Sequence, residues 1–285
     1  MKKDIVVGAI TNYTFDKIKP WVESLDRSGF DGVKALLCYN VDYDTVDELV
    51  KRNYTIFTFA RNDEIRKFTY RNDFSIVVER FFHLWYFLKG FKDEYRYLIA
   101  TDVKDVIFQK NPSVWLEQNI GDKSINASSE SIRYCDEPWG NNNLKKSFGP
   151  VIHDNFKSNV INNCGVLSGE FNTMIDLFLN IYMLCNGTNH LIEGGGGPDQ
   201  AALNILLNLE PYKLVTRYTL SEEAWSAQLG TTGPQVRSLS NDSILEPCPV
   251  RIDDMICTSK GEPFTIVHQY DRVPEWKQFI EKKYA

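Results

Sequence analysis

The 285 residues suffice for one large folding unit or two small ones, and 43% hydrophobic with 25% charged residues is ordinary for a globular protein. The net charge of −6 argues against a general polyanion binder, so nucleic acid is a poor candidate partner. No stretch approaches the roughly 20 apolar residues that span a bilayer, so no transmembrane segment is expected.

The N-terminus, Met1-Lys2-Lys3-Asp4-Ile5-Val6-Val7, reads as a first strand and not as a signal peptide. Cys38, Cys135, Cys164, Cys185, Cys248 and Cys257 form no Cys-x-x-Cys pair, which sets zinc-ribbon spacing aside. A cytoplasmic location with free thiols is the expectation.

The elements alternate along the first hundred residues. Segment 4–10 is a β-branched, apolar strand. Segment 15–25 is a helix, with Ile18, Trp21, Val22 and Leu25 at spacings of three and four. Strand 33–38, helix 46–52 and strand 54–59 follow. Segment 74–88 predicts a helix with Phe74, Val77, Val78, Phe81, Leu84, Trp85 and Leu88 on one stripe. A strand then ends near Thr101. Strands alternating with helices imply an α/β fold with a mostly parallel central sheet, whose ligands bind beyond the carboxyl ends of the strands.

The second half is less regular. It offers a strand at 124–129, an Asn-rich and aromatic loop or short-helix segment at 130–158, and a strand with a tight turn at 162–169. A helix at 171–185, a glycine break at 194–198, a helix at 199–207, a strand at 264–268 and a terminal helix at 276–283 complete it. No linker separates two cores. The expectation is one domain over 1–285, with a nucleotide half at about 1–112 and an acceptor half at about 113–285.

Four constellations could carry chemistry. Strand 97–100 delivers Asp102 and Asp105 into a turn before the apolar Val106-Ile107-Phe108. Two such carboxylates repel, and a divalent cation such as Mg²⁺ or Mn²⁺ would relieve them. The same residues also fit an acidic turn with Asp102 capping a short helix. His268 ends the last strand and could bring an imidazole to the aspartates, or be packed as a structural histidine. Asp199 and Gln200 open a helix after the glycine run, where they could meet a polyhydroxylated substrate, or Asp199 could be an N-cap. Arg80, inside an apolar helix, could reach a diphosphate or pair with an aspartate. The chain lacks a P-loop, and no GxGxxG follows the first strand, which disfavours a dehydrogenase.

In this order the motifs resemble GT-A-fold glycosyltransferases, in particular the glycogenin-like and bacterial galactosyltransferase-like enzymes. The residues that carry the resemblance are Ala9-Ile10-Thr11-Asn12-Tyr13, Tyr97 to Phe108, Asn163-Cys164-Gly165-Val166-Leu167, Gly197-Pro198-Asp199-Gln200 with Leu203-Asn204, and His268 to Trp276. Two departures stand out: the aspartates are spaced Asp-x-x-Asp, and the closing motif lacks the usual glycine and lysine.

The resemblance implies a Rossmann-like GT-A fold and a metal-dependent glycosyltransferase. It implies a UDP-sugar donor and a glycan or other hydroxyl acceptor. Asp102, Asp105 and His268 would hold Mn²⁺ or Mg²⁺. Ala9, Ile10, Thr11, Asn12, Tyr13, Arg80, Val103, Asn163 and Arg272 would bind the donor, with Arg272 standing in for the missing lysine. Asp199, Glu130 and Gln200 would serve catalysis, either Asp199 or Glu130 being able to supply a base. Tyr134 and Trp139 would form an acceptor wall. The alternatives are a sugar-nucleotide nucleotidyltransferase and a binding module that has lost turnover.

Overall fold

The computed structural model describes residues 2–71, 75–188, 196–237 and 243–285. In chain order its strands are β1 (Lys3–Thr11), β2 (Val33–Tyr39), β3 (Val41–Asp42), β4 (Thr55–Phe57), β5 (Ala60–Asn62), β6 (Lys67–Thr69), β7 (Tyr95–Thr101) and β8 (Val106–Phe108). They continue with β9 (Ile125–Arg133), β10 (Val160–Glu170), β11 (Thr216–Thr219), β12 (Ser226–Gln228), β13 (Val250–Ile252), β14 (Met255–Cys257) and β15 (Ile266–His268). The helices that frame the site are α1 (Phe15–Arg27), α2 (Tyr43–Lys51), α3 (Ile76–Leu88), α4 (Pro112–Asn119), α5 (Pro138–Phe156), α6 (Phe171–Cys185) and α7 (Asp199–Leu207).

Seven strands form the central sheet in the order β11-β9-β10-β7-β1-β2-β4. Only β10 runs against its neighbours, so the sheet is mostly parallel, as expected. Alternation along the strands sends side chains to two faces. Val6, Ile10, Leu36, Cys38 and Ile99 meet Ile18, Trp21, Val22 and Leu25 of α1 on one face. Ile5, Val7, Leu37 and Leu98 meet Val78, Phe81 and Leu84 of α3, and Met174 and Phe178 of α6, on the other. The stripes at spacings of three and four are thus the buried faces of α1 and α3. Phe74 lies outside the described residues.

Several boundaries move for local reasons. α2 starts at Tyr43, earlier than the apolar pattern predicts, because Asp42 accepts a hydrogen bond from the Thr45 N–H at 2.7 Å and caps the helix. The third strand is only Thr55–Phe57, since the chain then turns into the β5–β6 hairpin.

The larger correction concerns residues 130–158. β9 runs on to Arg133, and α5 covers Pro138–Phe156 as two helical pieces joined at Gly149, whose φ of 79° breaks the helix. Glu137 caps the first piece by accepting from the Trp139 and Gly140 N–H groups. Leu144, Phe148, Ile152 and Phe156, four residues apart, pack against Ile132, Tyr134 and Ile161. Tyr134, expected on an acceptor wall, is therefore a core residue at 1% exposure, whereas Trp139 is 36% exposed.

A smaller sheet, β12-β15-β8, stands beside the first. Among the described residues no helix is long and apolar enough to cross a membrane. All six cysteines are free thiols.

Candidate active site

The site begins where the strand order reverses. From β1 the chain moves outward to β2 and β4, then returns to β7 on the other side of β1. The carboxyl ends of β1 and β7 therefore open a crevice, the usual ligand position in such sheets. Thr11 ends β1, and Asp102 follows β7. Trp21 of α1 donates its indole N–H to Thr101 Oγ1 at 2.9 Å, and the Asp102 N–H donates to the Gly165 carbonyl at 2.8 Å. The turn carrying Asp102 is thus tied on both sides. Gly8 lets it close down: a Cβ there would stand 2.3 Å from Val103 Cγ2.

The smaller sheet brings the other ligands. In β15, His268 pairs with Val106 of β8 on one side and Gln228 of β12 on the other. This register sets the imidazole beside Asp105, which precedes β8. His268 Nε2 lies 3.6 Å from Asp102 Oδ2 and 3.8 Å from Asp105 Oδ1. One ligand atom from each of the three residues falls within 4.8 Å of the others. Two carboxylates and an imidazole suit Mn²⁺ and are acceptable to Mg²⁺. β10 leaves the space open with Gly165, where a Cβ would come 2.5 Å from His268 Cε1 and 2.8 Å from Asp102 Oδ2. The donor set and this side-chain-free wall both fit a divalent cation.

The carboxylates here are compensated unequally. Burial pushes Asp102 upward, but Arg80 and then His268 outweigh it and hold the carboxyl well below the usual range. Among the described residues Asp105 has no arginine partner, and burial raises it. Burial pulls His268 down, while Asp102 and Asp105 more than reverse this, so its pKa is raised. Arg80, from α3, hydrogen-bonds Asp102 Oδ1 and reaches Asp199 Oδ2 at 3.3 Å. Even so, burial raises the Asp199 carboxyl.

A second polar group lies behind these residues. The buried Asn163 donates Nδ2–H to Glu130 Oε1 at 2.7 Å and accepts from the Gly165 N–H at 2.6 Å. Gln200 Oε1 accepts from the Cys164 N–H at 3.2 Å. Burial pushes Glu130 up to about 7, against the Asn163 hydrogen bond that favours its ionised form.

A pocket of about 210 Å³ opens in front of the aspartates, lined in part by Ala9, Ile10, Thr11, Tyr13 and Tyr39. Arg80, Asp102, Val103, Lys104 and Asp105 complete its polar end. Asn12 does not line it; its left-handed backbone (φ 54°) forms the turn, and its N–H bonds the Tyr39 carbonyl. Asn163, Glu130, Asp199 and Gln200 stand behind the lining and not in it.

Arg272, expected at the diphosphate, does not line the pocket. Gln269 takes a left-handed conformation (φ 59°) that starts a short 3₁₀ turn, leaving the Arg272 side chain 62% exposed and 3.8 Å from Asp271. Beside Arg80, the basic side chain that lines the pocket is Lys104, itself 3.3 Å from Asp271. Sequence reasoning did not single out Lys104, Tyr39 or Gln228. Lys104 had a signal, since it lies between the two aspartates. Tyr39 had a weaker one, at the end of the strand next to β1.

No family model matches the chain, and no curated protein matches it. Among solved structures, the apo form of WbbM, a bifunctional glycosyltransferase, is similar with a TM-score of 0.55 at 12% identity, over 99% of this chain and 51% of that one. The chain thus spans about half the length of that protein. The similarity establishes the fold: the chain shares its α/β architecture with that protein.

Proposed function

We propose that the chain is a metal-dependent glycosyltransferase that moves a sugar from a nucleotide diphosphate, UDP in our reading, to a hydroxyl of a glycan or similar acceptor. The observation that carries this reading is the convergence of Asp102, Asp105 and His268, the two aspartates lining the same pocket as Ala9, Ile10, Thr11 and Tyr13. That pocket offers tyrosine rings and β1 backbone at one end and charge at the other, as a nucleoside diphosphate requires. A divalent cation held by the triad would stabilise the departing diphosphate.

The protein's own residues divide the remaining work. Lys104 is placed to neutralise phosphate oxygens, with Arg80 behind it. Asp199 holds Arg80 in place, and Gln200 fixes the β10 backbone at Cys164. Glu130 and Asp199, both buried behind the pocket lining, are the two carboxylates that could supply an acceptor base. We assign the donor to about residues 1–112 and the acceptor to the rest.

The test is a panel of UDP-sugars with Mn²⁺ and no acceptor, followed by release of UDP. Slow metal-dependent hydrolysis of one donor is expected. Absence of both hydrolysis and binding for every UDP-sugar would refute the reading.

A further inference from the structure

We infer that Gln228 is a positioning residue for the metal site, fixing the His268 imidazole as the Nδ1–H form so that Nε2 presents its lone pair to the cation. The inference rests on the metal-site reading above and adds the group that orients one of its ligands. Gln228 Oε1 lies 2.7 Å from His268 Nδ1, and the other ring nitrogen is the one facing Asp102 and Asp105. An amide oxygen can only accept, so Nδ1 carries the proton in this contact. The opposite amide orientation would make Nδ1 the acceptor, put the proton on Nε2 and block the cation. In the first orientation Gln228 Nε2 also donates to Ser226 Oγ at 3.0 Å, so both ends of the amide are engaged.

The surroundings keep Gln228 from moving. Its side chain is 1% exposed, and its strand pairs in register with β15, Gln228 opposite His268. The following turn is pinned twice: Gly230 N–H donates to Gln269 Oε1 at 2.9 Å, and Thr231 Oγ1 donates to the Glu130 carbonyl at 2.9 Å. No role in the pocket competes for this side chain, which does not line it. A ligand histidine whose second nitrogen is held by a fixed acceptor binds metal more tightly, and losing that acceptor commonly costs about 10- to 100-fold in affinity.

The experiment compares wild type, Gln228→Ala and Gln228→Glu. Binding of Mn²⁺, alone and with UDP, is followed by electron paramagnetic resonance of the free ion. The protonated nitrogen of His268 is read by ¹⁵N nuclear magnetic resonance on metal-free protein at a pH where the ring is neutral. Gln228→Ala should bind Mn²⁺ about 10- to 100-fold more weakly and lose the Nδ1–H preference. Gln228→Glu, whose carboxylate still accepts from Nδ1 and from the Ser226 hydroxyl, should keep both. Equal Mn²⁺ affinity in wild type and Gln228→Ala would overturn the inference while leaving the metal site standing. So would a wild-type ring protonated on Nε2, a result that needs no folded variant. Absence of Mn²⁺ binding by wild type would instead overturn the metal reading, and with it this inference.

Discussion

Gly165 touches His268 with nothing in between: a methyl at its Cα would stand 2.5 Å from His268 Cε1. The antiparallel strand β10 thus forms one wall of the candidate metal site with bare backbone. The imidazole arrives from a different sheet, and the two meet only because this position carries no side chain.

Gly165→Ala should therefore move the imidazole, Asp102 or the strand. Overpacking of this kind costs about 1–3 kcal/mol. The larger expected effect is on the site, with Mn²⁺ affinity falling at least about tenfold. Calorimetric titration beside a thermal melt separates the two effects. Unchanged affinity would mean that the triad does not need this wall.

Asp105→Asn should abolish metal-dependent UDP binding and leave the fold intact. Asp105 lines the pocket, and burial already disfavours its charge, so its amide should be tolerated structurally. UDP titration with and without Mn²⁺, alongside circular dichroism, is the check. Near wild-type sugar transfer by this variant would disprove the metal assignment.

Arg80→Met should be strongly destabilising. Arg80 and Asp199 have side chains only 15% and 10% exposed, and the substitution strands the Asp199 carboxylate. Breaking a buried pair in this way costs about 3–5 kcal/mol. Urea unfolding should show that loss, and Arg80→Met with Asp199→Asn should recover part of it. A double variant no more stable than Arg80→Met would show that the stranded charge is not the cause.

Glu130 predicts a pH dependence with a definite sign. Its folded value is raised to about 7 from an ordinary 4.5. Between those values the folded state binds the extra proton, so stability should fall as pH rises through about 4.5 to 7 and level off above. The shift corresponds to a difference on the order of 3 kcal/mol. Glu130→Gln should remove this slope from urea unfolding measured across the window. A slope that persists in Glu130→Gln would place the responsible group elsewhere.

Much of this was legible in the chain. Ile18, Trp21, Val22 and Leu25 fall at helical spacing because they face one sheet surface. Asp102, Asp105 and His268 could be linked because a strand ended at each carboxylate turn and at the histidine. Other features depend on contacts between distant segments. Gln228 becomes visible only through its register with His268, 40 residues later. That Arg272 falls outside the pocket lining depends on the chain's course through the left-handed Gln269, which sequence spacing does not reveal. The 130–158 segment did hold a helical signal, Leu144, Phe148, Ile152 and Phe156, obscured by its asparagines and by the Gly149-Pro150 break.

The most direct test is calorimetric titration of the wild-type protein with UDP, in Mn²⁺ and then in excess chelator. Tight binding with the metal, lost on chelation, is the predicted result. UDP binding of equal strength in both would contradict a site built on Asp102, Asp105 and His268.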